Sequence, residues 1–147
     1  MRIPIIILLL LTGPWVSVRL FTPDDLARAD LFGLVGLILA FTFFGIGHFA
    51  KTDQMVDMLP TRIPARKPIV LLTGLLEFGL ALGLIFPATR IVTGWACIAV
   101  LVGFFPVNVY ASIQRRGGGG HEWGPIYLLI RGPLQLTLIV WCFAFTQ

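Results

Sequence analysis

Charge is what this chain has least of: eleven basic and seven acidic residues among 147. Globular proteins carry about a quarter of their residues charged. Here 12% are charged, 57% are hydrophobic and the mean hydropathy is +0.92. So little polar surface cannot enclose the apolar segments in water, which excludes a soluble globular domain. Cysteine is nearly missing as well. Cys97 and Cys142 are the only two and form no CxxC, so nothing suggests an iron–sulfur cluster, a haem attachment site or a zinc framework. His48 and His121 have no second ligand at metal spacing, so no metal site is expected. No glycine-rich phosphate loop follows a strand pattern, and basic residues scattered over short connections make no stripe for nucleic acid.

Long hydrocarbon fills the chain instead. A bilayer core of about 30 Å needs roughly 20 apolar residues per helix. Residues 31–50, 68–86, 91–111 and 125–145 meet that length with at most one charge inside each. The N-terminal stretch 3–20 resembles a secretory signal sequence but is expected to remain as a fifth span, an interfacial helix being the alternative. The expectation is an all-α polytopic membrane four-helix bundle with a fifth N-terminal transmembrane helix, residues 1–147 forming a single transmembrane domain whose first partner is the lipid bilayer.

The connections set orientation. With five spans, Arg2, Lys51, Arg62, Arg66, Lys67, Arg115 and Arg116 fall on one side and Arg19, Arg28 and Arg90 on the other. The richer side is expected to be cytoplasmic, placing the N-terminus inside and the C-terminus outside. Asp30 or Thr22 is available to cap the second span. Residues 51–67 read as a short helix and then an extended run in the headgroup layer. Four consecutive glycines, Gly117 to Gly120, read as a mobile linker. Small residues mark helix contacts, with Gly79 and Gly83 in one span and Gly36 and Ala40 as their counterpart in another.

Against this background a few polar groups stand out. Glu77 and Arg131 lie inside apolar spans, where a charge costs roughly 2.5–3.5 kcal/mol even on lenient scales. At about 1.5 Å per residue, Glu77 is about 13 Å and Arg131 about 9 Å from the inner end of its helix. On the same scale Asn108 is about 5 Å and His48 about 3 Å from theirs. Tyr127, Arg131 and Gln135 recur every four residues and share a face, as do Thr73 and Glu77. Lipid cannot satisfy such groups, so His48, Glu77, Asn108, Arg131 and Gln135 are expected to meet in an inward-opening polar pocket, with Tyr127 on its stripe. Two roles compete: a ligand or proton site, or a structural ion pair of Glu77 with Arg131 that fixes helix register. Asn108 can also simply satisfy carbonyls freed by Pro106. Cys97 and Cys142 fall at similar depth, so a redox pair is conceivable beside the default of buried free thiols.

From Phe41 onward the sequence resembles the DoxX-like family of small bacterial membrane proteins. The matching pieces are FFGIGHF at 43–49, the LP then IP with a basic run at 59–67, LLTGLLEFGLALGLIFPATR at 71–90, FFPVNVYAS at 104–112 and IRGPLQLTLIVW at 130–141. The resemblance carries over His48, Glu77, Pro106, Asn108, Arg131, Pro133 and Gln135. Gly132 departs from a leucine expected after the arginine, and the N-terminal segment is extra to the family's four-helix bundle. Members resemble subunits of membrane oxidoreductases, including thiosulfate:quinone oxidoreductase, and one is linked to a redox complex with superoxide dismutase. The resemblance thus implies a subunit of a redox assembly in the bacterial cytoplasmic membrane, with other membrane subunits as partners and a quinone as the ligand. No electron carrier is encoded in the chain itself. A non-catalytic accessory subunit and a small-solute carrier are the alternatives.

Overall fold

The computed structural model describes residues 2–22 and 24–147; Met1 and Pro23, the latter in the expected outer connection, lie outside the described residues. Among the described residues six α-helices form: α1 (Arg2–Phe21), α2 (Leu26–Ala50), α3 (Thr52–Met58), α4 (Arg66–Ile85), α5 (Pro87–Gln114) and α6 (Leu128–Thr146). A 3₁₀ segment, His121–Tyr127, leads into α6. No strand is present among the described residues. Five helical stretches are long and apolar enough to cross a membrane, and the protein is a multi-pass membrane protein.

Helix limits follow local chemistry where they exceed the apolar runs. α2 starts five residues before the expected span because its polar first turn stays helical once Asp25 accepts the Arg28 N–H at 2.9 Å. The cap is therefore Asp25, not Asp30 or Thr22; the Thr22 hydroxyl instead donates to the Val18 carbonyl at 3.1 Å and closes α1. α5 begins with Pro87, whose fixed φ suits the first helical position.

α2, α4, α5 and α6 make a ring in which each helix touches its two neighbours, while α4 and α6 face one another without substantial contact. α1 lies in the groove between α2 and α6. It runs the height of the bundle: Ile3 lies near Gly119 at the α3 end, and Trp15 meets Trp141 edge-on, centroids 5.7 Å apart, at the other. The first segment is thus the fifth transmembrane helix and not a surface-lying one. The apolar core, with Leu11, Leu37, Phe41, Leu84, Cys97 and Leu138 fully enclosed, joins α1, α2, α4, α5 and α6. Leu9, Leu72, Leu129 and Leu136, each above 60% exposed, show that the outer surface is as apolar as the interior.

The glycine run does more than link. Gly117, Gly119 and Gly120 have positive φ, and a Cβ at 117 would strike Met58 of α3. What reads as a mobile linker is a turn seated on α3, because only residues without a side chain fit the gap. The helix seams follow the small-residue expectation at Gly36 and at Gly83, which lies against Thr93 of α5, and depart from it at Gly79. A Cβ at Gly79 would meet nothing within 4 Å, whereas Gly36 faces the Leu11 backbone carbonyl of α1. Between α2 and α4 the close approach runs through Gly45, against the Phe78 ring, and Gly74, against His48. Gly36→Val should destabilise the bundle by about 1–3 kcal/mol through overpacking, and Gly79→Ala should leave it unchanged within about 0.5 kcal/mol; thermal unfolding of both variants in mild detergent checks this.

Candidate functional site

At the α3 end, where the ring of helices is not filled by side chains, a cavity of about 350 Å³ opens between α2, α4, α5 and α6. Its walls are mostly apolar, with Phe44, Val70, Leu101, Phe104 and Val107 among them. Into it come His48 from α2, Glu77 from α4, Asn108 from α5, and Arg131 and Gln135 from α6. These are the five residues that depth and periodicity place together. Tyr127 is different: it is buried against His121, ring centroids 4.9 Å apart, and does not line the cavity. The backbone breaks at Gly124 (φ 75°, ψ −155°). Tyr127 itself has helical backbone angles and stands one turn before Arg131, within its electrostatic reach, but its ring packs on His121 and does not enter the cavity.

The glycine seam brings His48 beside Glu77. Each charged or polar group sits three residues after its glycine, Gly45 then His48 and Gly74 then Glu77, so the backbones approach one turn from where the side chains meet. His48 Nδ1 lies 2.8 Å from Glu77 Oε2 and 3.0 Å from the Phe44 carbonyl. A carbonyl only accepts, so Nδ1 carries the proton; it aims at the carbonyl and meets the carboxylate off its axis, leaving Oε2 without an aligned hydrogen bond. Both side chains are shielded, at 14% and 5% exposure, so this pair is scarcely screened by solvent.

Arg131 has no such partner. Among the described residues it forms no ion pair, and its Nε is buried without a hydrogen bond. Glu77 and Arg131 act on each other electrostatically across the cavity, while the close contact of Glu77 is with His48. The physical reason is placement: α4 and α6 stand on opposite sides of the ring with the cavity between them. The amides are partly committed. Asn108 Nδ2 donates to the Phe104 carbonyl at 3.0 Å, one turn back, and Gln135 Nε2 donates across to the Leu101 carbonyl of α5. Each keeps a carbonyl oxygen and a second N–H.

Met55, Met58 and Leu59, at the end of α3 and just after it, cover the cavity. The sequence gives α3 only as an interfacial helix; its mixture of methionine with charge was the available sign that one face is buried. His121 is also buried, its Nδ1 2.8 Å from the Gly118 carbonyl, which is a turn-fixing role. Cys97 and Cys142 are neighbours in the core, fully buried and unbridged.

Residues 37–146 match the family described as Domain of unknown function (DUF8561), and the chain belongs to it. The six cavity-lining polar residues, His48, Thr73, Glu77, Asn108, Arg131 and Gln135, fall within that stretch, whereas α1 precedes it. No curated protein and no solved structure matches the chain.

The His48–Glu77 contact predicts non-additive energetics. Replacing Glu77 or His48 singly by leucine should each destabilise the bundle, and the double variant should recover about 0.5–3 kcal/mol relative to the sum. A double-mutant cycle on unfolding in detergent measures this. Cys97 and Cys142 should stay unmodified by a maleimide in the folded protein and react once it is unfolded, read by mass spectrometry.

Proposed function

We propose that this protein is a membrane subunit of a redox or respiratory assembly whose α3-end cavity receives the polar headgroup of a quinone-like molecule. The observation that carries the reading is the cavity itself: about 350 Å³, walled by hydrocarbon, with polar groups from four helices gathered at its side. An amphipathic ring fits such a mixture, and a lipid-soluble molecule reaches it from the bilayer. Arg131, Gln135 and His48 supply donors for headgroup carbonyls, and Glu77, held by His48, is placed to take up or pass on a proton. The resemblance to DoxX-like proteins over residues 41–141 supports the same reading. Electrons come from a partner subunit, because the chain brings no electron carrier of its own.

The proposed setting is the bacterial cytoplasmic membrane, with the cavity on the inner side. The support is the excess of lysine and arginine in the connections at the α3 end. Reporter fusions at residues 88 and 118 test the orientation: a cytoplasmic reporter should be active only at 118, and a periplasmic one only at 88. For the ligand, a short-chain quinone should bind the purified assembly, and Glu77→Gln should weaken it about tenfold. Equal, negligible binding by both proteins, measured by equilibrium dialysis, would sink the reading.

A further inference from the structure

Within the cavity the positive charge and the negative charge are treated differently. Glu77 has the His48 imidazole 2.8 Å away, contributed by the neighbouring helix. Arg131 sits on the far side, lines the same cavity, and has a buried Nε with no acceptor. A guanidinium half-shielded at an apolar cavity, with its Nε buried and unpaired, is an unfavourable arrangement in a membrane interior. The two amides beside it do not relieve this, since neither accepts from Arg131 among the described residues. Tyr127 and Glu77 act on Arg131 only through their fields, so its donors stay available to an acceptor that enters the cavity.

We infer that Arg131 is an anion-binding residue, and that the cavity takes an amphipathic molecule through a negatively charged oxygen: an ionised hydroxyl, carboxylate, sulfonate or phosphate with an apolar body against Phe44, Val70 and Phe104. The planar guanidinium is suited to this because it stays charged and offers paired donors to an oxygen anion. For the quinone, the inference rests on the proposed function and sharpens it, since the preferred headgroup is then the one bearing an ionised oxygen and not a neutral diketone. Glu77 keeps its close contact with His48 and acts on Arg131 only through its field, leaving the guanidinium donors free for a ligand oxygen.

The test needs no knowledge of the natural ligand. Lawsone, a hydroxynaphthoquinone ionised at neutral pH, and its neutral methyl ether differ little in shape, so their ratio of affinities for the intact protein in lipid nanodiscs reads charge recognition. Lawsone should bind wild type about ten- to a hundredfold tighter, and Arg131→Gln should abolish the difference. Arg131→Lys, which keeps the charge and loses the fork, should retain part of it and guards against a glutamine variant that does not fold. Equal affinities in wild type, or a preference that survives in a folded Arg131→Gln, overturn the inference while leaving the quinone reading in place. Binding of dodecanoate but of neither naphthoquinone, lost in Arg131→Gln, upholds the anion site and overturns the quinone reading. Displacement of bound lawsone by sulfate identifies a free inorganic anion as the source of the same chemistry, and absence of binding by all four probes overturns both.

Discussion

Hydrocarbon cannot hydrogen-bond, and every polar side chain in this bundle is placed under that constraint. The response at the α2–α4 seam is the most specific. Two glycines let the helices approach until Gly74 all but touches the His48 Cβ, and the imidazole then meets the Glu77 carboxylate one turn further along. A residue with a side chain at either position would separate the helices and leave the carboxylate facing an apolar cavity alone. The seam and the pair are one arrangement, and the cavity exists because α4 and α6, which carry the other charge, are held apart by the helices between them.

Most polar side chains are satisfied within the protein, while Glu77, Ser112, His121 and Arg131 each keep a buried atom without a hydrogen bond among the described residues. Thr42 and Thr146 return their hydroxyls to the carbonyl one turn back, at 2.7 Å each, as buried hydroxyls in membrane helices commonly do. Gln135 ties α6 to α5, and Trp141 ties α6 to α2 through the Gly33 carbonyl at 3.1 Å. Such bonds fasten the ring where dispersion alone would let the helices slide. Arg131 stands out because its neighbours have already been used.

Much of this was legible in the sequence because the membrane simplifies the problem. Hydropathy located all five spans, and depth with helical period brought His48, Glu77, Asn108, Arg131 and Gln135 to one place. What failed were judgements about partners. Glu77 and Arg131 invited pairing because they are the two conspicuous charges, but charge says nothing of which helices are neighbours around a ring. The signal that decides it, a glycine three residues before each of His48 and Glu77, is present in the sequence and was overshadowed by the more familiar spacing of Gly79 and Gly83. Tyr127 does stand one turn from Arg131, but the break at Gly124 brings His121 against its ring, a contact that spacing does not reveal. The role of α3 as a cover was hidden because a seven-residue amphipathic segment has the same composition whether it floats on headgroups or closes a cavity.

The turn at residues 117–120 gives the cavity's cover a fixed thickness. A Cβ at 117 would collide with Met58 and one at 118 with the Gln54 side chain, so two connections that are sixty residues apart in sequence share a single layer of atoms. Lengthening or decorating that turn does not add bulk to the surface; it lifts the short helix beneath it. The connection that reads as the most permissive in the chain is therefore the one with the least room for insertion.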